Sequence, residues 1–167
     1  ALPASNFFDP GGFLLDSDSY NQSRWDRPLT HDQETSVVRY IDSVRTERPA
    51  LEEQPTPIGG KALRDKLGLK DSEKMIFISL QRPGDTVTRF FNREVSYQQY
   101  LEQIQEVCSK ILPGVTICVK KHPLEDDSFV GASYINVDNE NIYDLLEACD
   151  AVWTFNSGVG ILAMLYS

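Results

Sequence analysis

Three short apolar runs, Val115–Val119, Tyr134–Val137 and Ala151–Phe155, constrain this chain more than any other feature. Each is rich in β-branched or aromatic residues and bounded by polar clusters, the pattern of a buried strand. Each ends in a different cluster: Lys120-Lys121-His122-Pro123, Asp138-Asn139-Glu140-Asn141 and Asn156-Ser157-Gly158. The last runs straight into Val159-Gly160-Ile161-Leu162-Ala163-Met164-Leu165, which predicts a helix opening directly off a strand. In an open parallel sheet every strand releases its loop at the same edge, and ligands bind in the crevice there. The three loops are therefore expected to converge on one binding site.

A fourth run, Met75 to Leu80, predicts the first strand, and Gln81 to Asn92 reads as a polar loop. Ser96 is placed to cap a helix from Tyr97 to Ile111 with Tyr100, Leu101, Ile104, Val107, Cys108 and Ile111 inward. Pro113-Gly114 ends it. The order β-α-β-β-α-β-α predicts an α/β fold, a Rossmann-like parallel sheet flanked by helices with right-handed crossovers. The join from Lys120 to Ser133 carries no long helix and is the least regular connection.

Residues 1–58 are expected as an arm, an amphipathic helix and a Pro-rich linker. The arm holds the turn Asp9-Pro10-Gly11-Gly12, with Phe7, Phe8, Phe13, Leu14, Leu15 and Trp25 too apolar for a free tail. A helix start at Leu29-Thr30-His31-Asp32 is followed by Val37, Val38, Ile41 and Val44 at helical spacing through Glu47. Pro49, Pro55 and Pro57 exclude regular helix in the linker. The Rossmann-like domain is expected over 59–167, opening with a short helix, Gly60 to Leu67, that Gly68 closes. Starting without Met and stopping within an apolar helix, the chain is expected to be a fragment, its domain incomplete at the C-terminus.

A chain of 167 residues with 41% hydrophobic content can bury one core. Its formal charge of −9 argues against a nucleic-acid partner. Yet Arg82, Arg89, Arg93, Lys120 and Lys121 fall around the predicted sheet edge, so the crevice suits a small anionic ligand. Cys108, Cys118 and Cys149 lack metal or CxxC spacing and read as buried free thiols in a reduced, cytosolic setting. No apolar run approaches a membrane span, and no signal peptide is visible.

Pro123 holds the residue before it extended, aiming the His122 imidazole out of the sheet edge. Lys120 and Lys121 alternate in facing, so one is expected to point along the crevice. Histidine and lysine together can bind a phosphate and neutralise a leaving group; a solvated surface turn accounts for the same residues equally well. Asn156, Ser157 and Gly158, between strand and helix, present free N–H groups and the positive helix end, an anion site. A plain N-cap role for Ser157 is compatible with that. Gln81 and Arg82 can hold a ligand and Asp85 can brace Arg82 or Arg89, unless the loop is merely solvated. Asp138 to Asn141 can meet a base or ribose, but capping of the helix after Asn141 is preferred. His31 stands isolated, and Trp153 and Tyr134 read as core. A Ser-His-Asp hydrolase fails because Ser157 lacks the GxSxG elbow, and no edge carries enough ligands for a metal.

These residues resemble the C-terminal half of capsule polysaccharide biosynthesis proteins, the Kdo-transferase-like GT-B glycosyltransferases. The likeness rests on Lys121-His122-Pro123, on Asp150-Ala151-Val152-Trp153-Thr154, and on Asn156-Ser157-Gly158-Val159-Gly160. Ile78-Ser79-Leu80-Gln81 through Asp85 and Ala1-Leu2-Pro3 with Phe8 to Gly12 add to it. Gly12-Phe13, Asn156 and Lys121 depart from the family's usual Gly-Val, Ser and Pro. The resemblance implies a two-domain glycosyltransferase whose C-terminal domain binds a CMP-sugar donor, CMP-Kdo, without a metal or other cofactor. His122 would contact the CMP phosphate, with Ser157 and adjacent N–H groups completing the site. The implied partners are the donor and a glycan or glycolipid acceptor. The acceptor site and catalytic carboxylate are expected in an absent N-terminal domain, and any peripheral contact with the inner membrane face through that absent part. A UDP-sugar transferase or epimerase-like domain, or a non-catalytic α/β binding module, stands as the alternative.

Overall fold

The structure is a computed structural model that describes residues 27–50, 52–90, 95–110, 113–129, 131 and 133–166. The arm expected over the first 26 residues lies outside the described residues, as does Arg93. The chain divides into two compact units, residues 1–51 and 52–167.

The described part of the first unit is helix α1, His31–Glu47. It begins within the stretch expected to start a helix, and Thr30 caps it: its hydroxyl accepts the Gln33 N–H and the Gln33 side chain accepts the Thr30 N–H, a reciprocal capping box. Val37 and Val38, expected on an apolar stripe, are exposed.

The second unit opens with residues pinned onto a later helix. Asp144 accepts the Ile58 and Gly59 N–H groups at 2.7 and 2.9 Å, and Glu147 accepts that of Gly60 at 3.0 Å. Two carboxylates thus occupy the positive end of helix α2, Gly60–Lys66, which has no cap of its own. Gly68, at φ 73°, closes α2: its N–H reaches Asp65 and that of Leu69 reaches Arg64, a Schellman pair.

Strand β1 is Lys74–Ser79, β2 Val115–Lys120, β3 Ile135–Asn136 and β4 Ala151–Thr154. All pair in parallel, in the order β3-β2-β1-β4. With the helices around it, this is the expected Rossmann-like arrangement. Helix α4, Tyr97–Ser109, begins at a second capping box, Ser96 with Gln99. It buries Tyr100, Ile104 and Cys108 against Ile78, Leu80, Ile117 and Val119 on one sheet face. Alternation turns Met75, Phe77 and Cys118 to the other face, where helix α5, Ile142–Ala148, lies against β1 and α2 against α5. Helix α6, Gly158–Tyr166, follows β4.

Two elements differ from the sequence expectation. The polar loop after β1 contains a short helix, α3, Thr86–Phe90, begun where the Asp85 carbonyl accepts the Arg89 N–H. Its β-branched residues give it no helical signature. Strand β3 is only two residues long, and no helix precedes it among the described residues of the crossover. That crossover is held by Phe129 stacked on Tyr134, centroids 5.5 Å apart, both packed on the core.

Candidate functional site

Ser79 on the middle strand pairs with Lys120 on one side and Thr154 on the other. Gln81, His122 and Asn156 each stand two residues beyond these pairings, past the C-terminal ends of their strands. The chain runs outward from β1 to β3 and then returns to lay β4 on the far side of β1. The strand order therefore reverses between β1 and β4, where α/β sheets open their ligand crevice. Gln81, 7% exposed, spans this gap: its Oε1 accepts the Asn156 N–H at 3.0 Å.

His122 opens a tight turn in which its carbonyl accepts the Glu125 N–H at 3.0 Å and Pro123 occupies the second position. The Leu124 N–H donates to His122 Nδ1 at 3.1 Å, so the neutral ring carries its proton on Nε2. The imidazole is half-buried. The turn at β4 offers more donors. Ser157 Oγ accepts the Val159 N–H at 3.2 Å, capping α6. The Ser157 and Gly158 N–H groups donate to no acceptor among the described residues.

Both lysines are held by backbone carbonyls. Lys120 is buried, and its ammonium donates to the carbonyls of Asp138 and Glu140. Burial pulls its pKa below the ordinary value, against the nearby Asp138 and Glu140 carboxylates. Lys121 Nζ donates to the Asp126 carbonyl at 2.7 Å. Arg82 pairs through Nε with Glu125 at 2.9 Å, so Glu125 and not Asp85 braces it. This ion pair ties the β1 loop to the His122 turn.

Asp138, a candidate for ribose contact, instead builds the rim. Its Oδ1 accepts the Lys121 N–H at 2.7 Å and its Oδ2 the Ser128 hydroxyl. Burial works to raise this carboxyl, but those donors, Asn136 and the Lys121 charge together hold it below the usual range. Asn141 caps α5, accepting the Tyr143 N–H at 2.9 Å, as preferred from sequence. Tyr97, which sequence reading treated only as a helix start, grips Gln81. Its hydroxyl accepts the Gln81 N–H at 3.1 Å and donates to the Gln81 carbonyl at 2.6 Å. No sequence signal marks it, since the contact joins positions 16 apart.

Among the described residues no three His, Cys, Asp or Glu side chains gather as a metal group, and no helix is long and apolar enough to cross a membrane. Cys108 and Cys118 are buried and Cys149 half-buried, all free thiols.

No protein-family model and no curated protein sequence matches the chain. Among solved structures, KpsC of Thermosulfurimonas dismutans, described as a beta Kdo 2,4 transferase, has the same fold. The likeness covers 94% of this chain at TM-score 0.64 and 20% identity. This chain spans 50% of that one. The resemblance read from short motifs thus meets a beta Kdo 2,4 transferase at the level of fold.

Proposed function

We propose that this chain is the nucleotide-sugar-binding portion of a glycosyltransferase of capsule or surface polysaccharide synthesis, with CMP-Kdo as donor. One observation supports the reading: Gln81, His122 and Asn156 follow the C-terminal ends of three neighbouring parallel strands, and Gln81 bonds Asn156 across the strand-order reversal. His122 and the Ser157 turn flank β1, so two strand spacings, about 10 Å, separate their backbones. The His122 Nε2–H and the N–H groups of Ser157 and Gly158 approach one phosphate from opposite sides.

In transfer, the bond between the sugar's anomeric carbon and the CMP phosphate oxygen breaks, and that carbon bonds to an acceptor hydroxyl. Negative charge grows on the departing phosphate, where these donors stabilise it. The acceptor, a glycan or glycolipid, and the group taking its proton belong to a portion outside this chain, in a two-domain GT-B arrangement at the cytoplasmic face of the membrane. The half-length match to KpsC supports that division.

Thermal melts test the reading. At a hundredfold excess over Kd, CMP adds about 2.7 kcal/mol to the stability of a protein that binds it only when folded. His122→Ala should lose this stabilisation; equal shifts in both proteins overturn the assignment. A larger shift with UDP than with CMP selects a UDP-sugar enzyme, and no shift with either leaves a non-catalytic module.

A further inference from the structure

We infer that Tyr97 is a positioning residue for the anion-binding turn at Asn156–Gly158, acting through Gln81. The inference rests on the function proposed above and adds a residue to its site.

Tyr97 is the first residue of α4 and touches both sides of the crevice. Its hydroxyl holds both backbone polar groups of Gln81. A residue held at N–H and C=O by one oxygen cannot rotate about its backbone without breaking both bonds. The Gln81 side chain then carries that constraint across the gap to the Asn156 N–H. The Tyr97 ring meets the same turn by a second route, packing edge-on against Phe155 at 5.8 Å. Phe155 is itself wedged against Tyr100 at 5.0 Å.

The consequence is directional. With its own N–H committed to Gln81, Asn156 is fixed in the strand-to-helix turn, and the next two N–H groups are left for a ligand. Freed from Gln81, the turn can rotate and those donors lose their common aim. Pre-set donors are what stabilise charge that appears only during reaction.

Tyr97→Phe separates the two routes, because it keeps the ring and removes the hydroxyl. The expected results are about tenfold faster hydrogen exchange at the Asn156 amide in the ligand-free chain, and CMP binding weakened about three- to tenfold, the scale of one or two lost hydrogen bonds. Gln81→Ala should weaken CMP similarly, and the double variant little further, because the two act in series. Unchanged Asn156 exchange in Tyr97→Phe overturns the inference, as do additive losses of CMP affinity. Wild-type protein that ignores CMP overturns the donor assignment instead, and the exchange measurement alone then decides the role of Tyr97.

Discussion

Asp138 reaches back from the end of β3 to accept the Lys121 N–H at 2.7 Å, one residue before His122. The shortest strand of the sheet thereby fixes the loop of its neighbour. The same carboxylate takes the Ser128 hydroxyl, so it ties the start of the crossover to its middle, where no helix stiffens the described residues.

Asp138→Ala should therefore cost about 1–3 kcal/mol, the penalty of leaving a partly buried N–H without its acceptor. Urea unfolding measures it. Because the native carboxyl sits below the usual 3.8, its contribution is present above that pH and fades as pH falls through the native value. The variant's deficit should accordingly shrink in acid. A deficit that stays constant would show that packing, not charge, holds the loop.

Gly60→Ala provides a test of the carboxylate clamp on α2. A Cβ there would lie 2.6 Å from Glu147 Cβ and 2.7 Å from its carbonyl carbon, so α2 must move off α5. Alanine favours helix over glycine by about 1 kcal/mol, yet the variant should be less stable by about 2 kcal/mol, the scale of overpacking. A stabilised Gly60→Ala would mean the two helices separate freely.

Two neighbouring tyrosines should respond oppositely to loss of a hydroxyl. Tyr100 is 3% exposed and its hydroxyl is buried without a hydrogen bond, whereas that of Tyr97 makes two. Tyr100→Phe should be neutral or stabilising by up to about 1 kcal/mol, and Tyr97→Phe destabilising by a similar amount. Chemical denaturation of both variants side by side checks the sign.

Alkali should weaken the fold from about pH 9 upward. Burial pushes the Cys149 thiol to about 11 and that of Cys118 to about 12, from an ordinary 9.0. It also pushes the Tyr134 phenol from 10.0 to about 12. Above pH 9 the unfolded chain releases protons that the native state retains, so stability falls as pH rises. Urea midpoints at pH 8 to 11 should decline, less steeply in Cys149→Ala; identical slopes would mean that its burial is not maintained in solution.

Much of this architecture was legible in order along the chain. Ser96 with Gln99 and Thr30 with Gln33 announce helix starts because a cap and its partner lie three residues apart. The apolar runs announce strands, and their parallel arrangement sends His122 and Ser157 to one rim. The short helix after Asp85 escaped notice because nothing in Thr86–Phe90 favours helix locally. The carbonyls that hold Lys120 left no sequence signal either. Alternation fixes which face a side chain leaves from, not whether a carbonyl waits there to take its charge.

What the sequence determined by itself is therefore local: caps, turns, strand ends, and which polar cluster follows each strand. Only the tertiary structure decided which of those groups are already spent on the protein. Lys120 and Asp138 became struts, Gln81 a bridge and Tyr97 its clamp, while the N–H groups of Ser157 and Gly158 meet no acceptor among the described residues. The physical reason is that hydrogen bonds are allotted by proximity in space, and partners 16, 17 or 75 positions apart leave no periodic trace in the sequence.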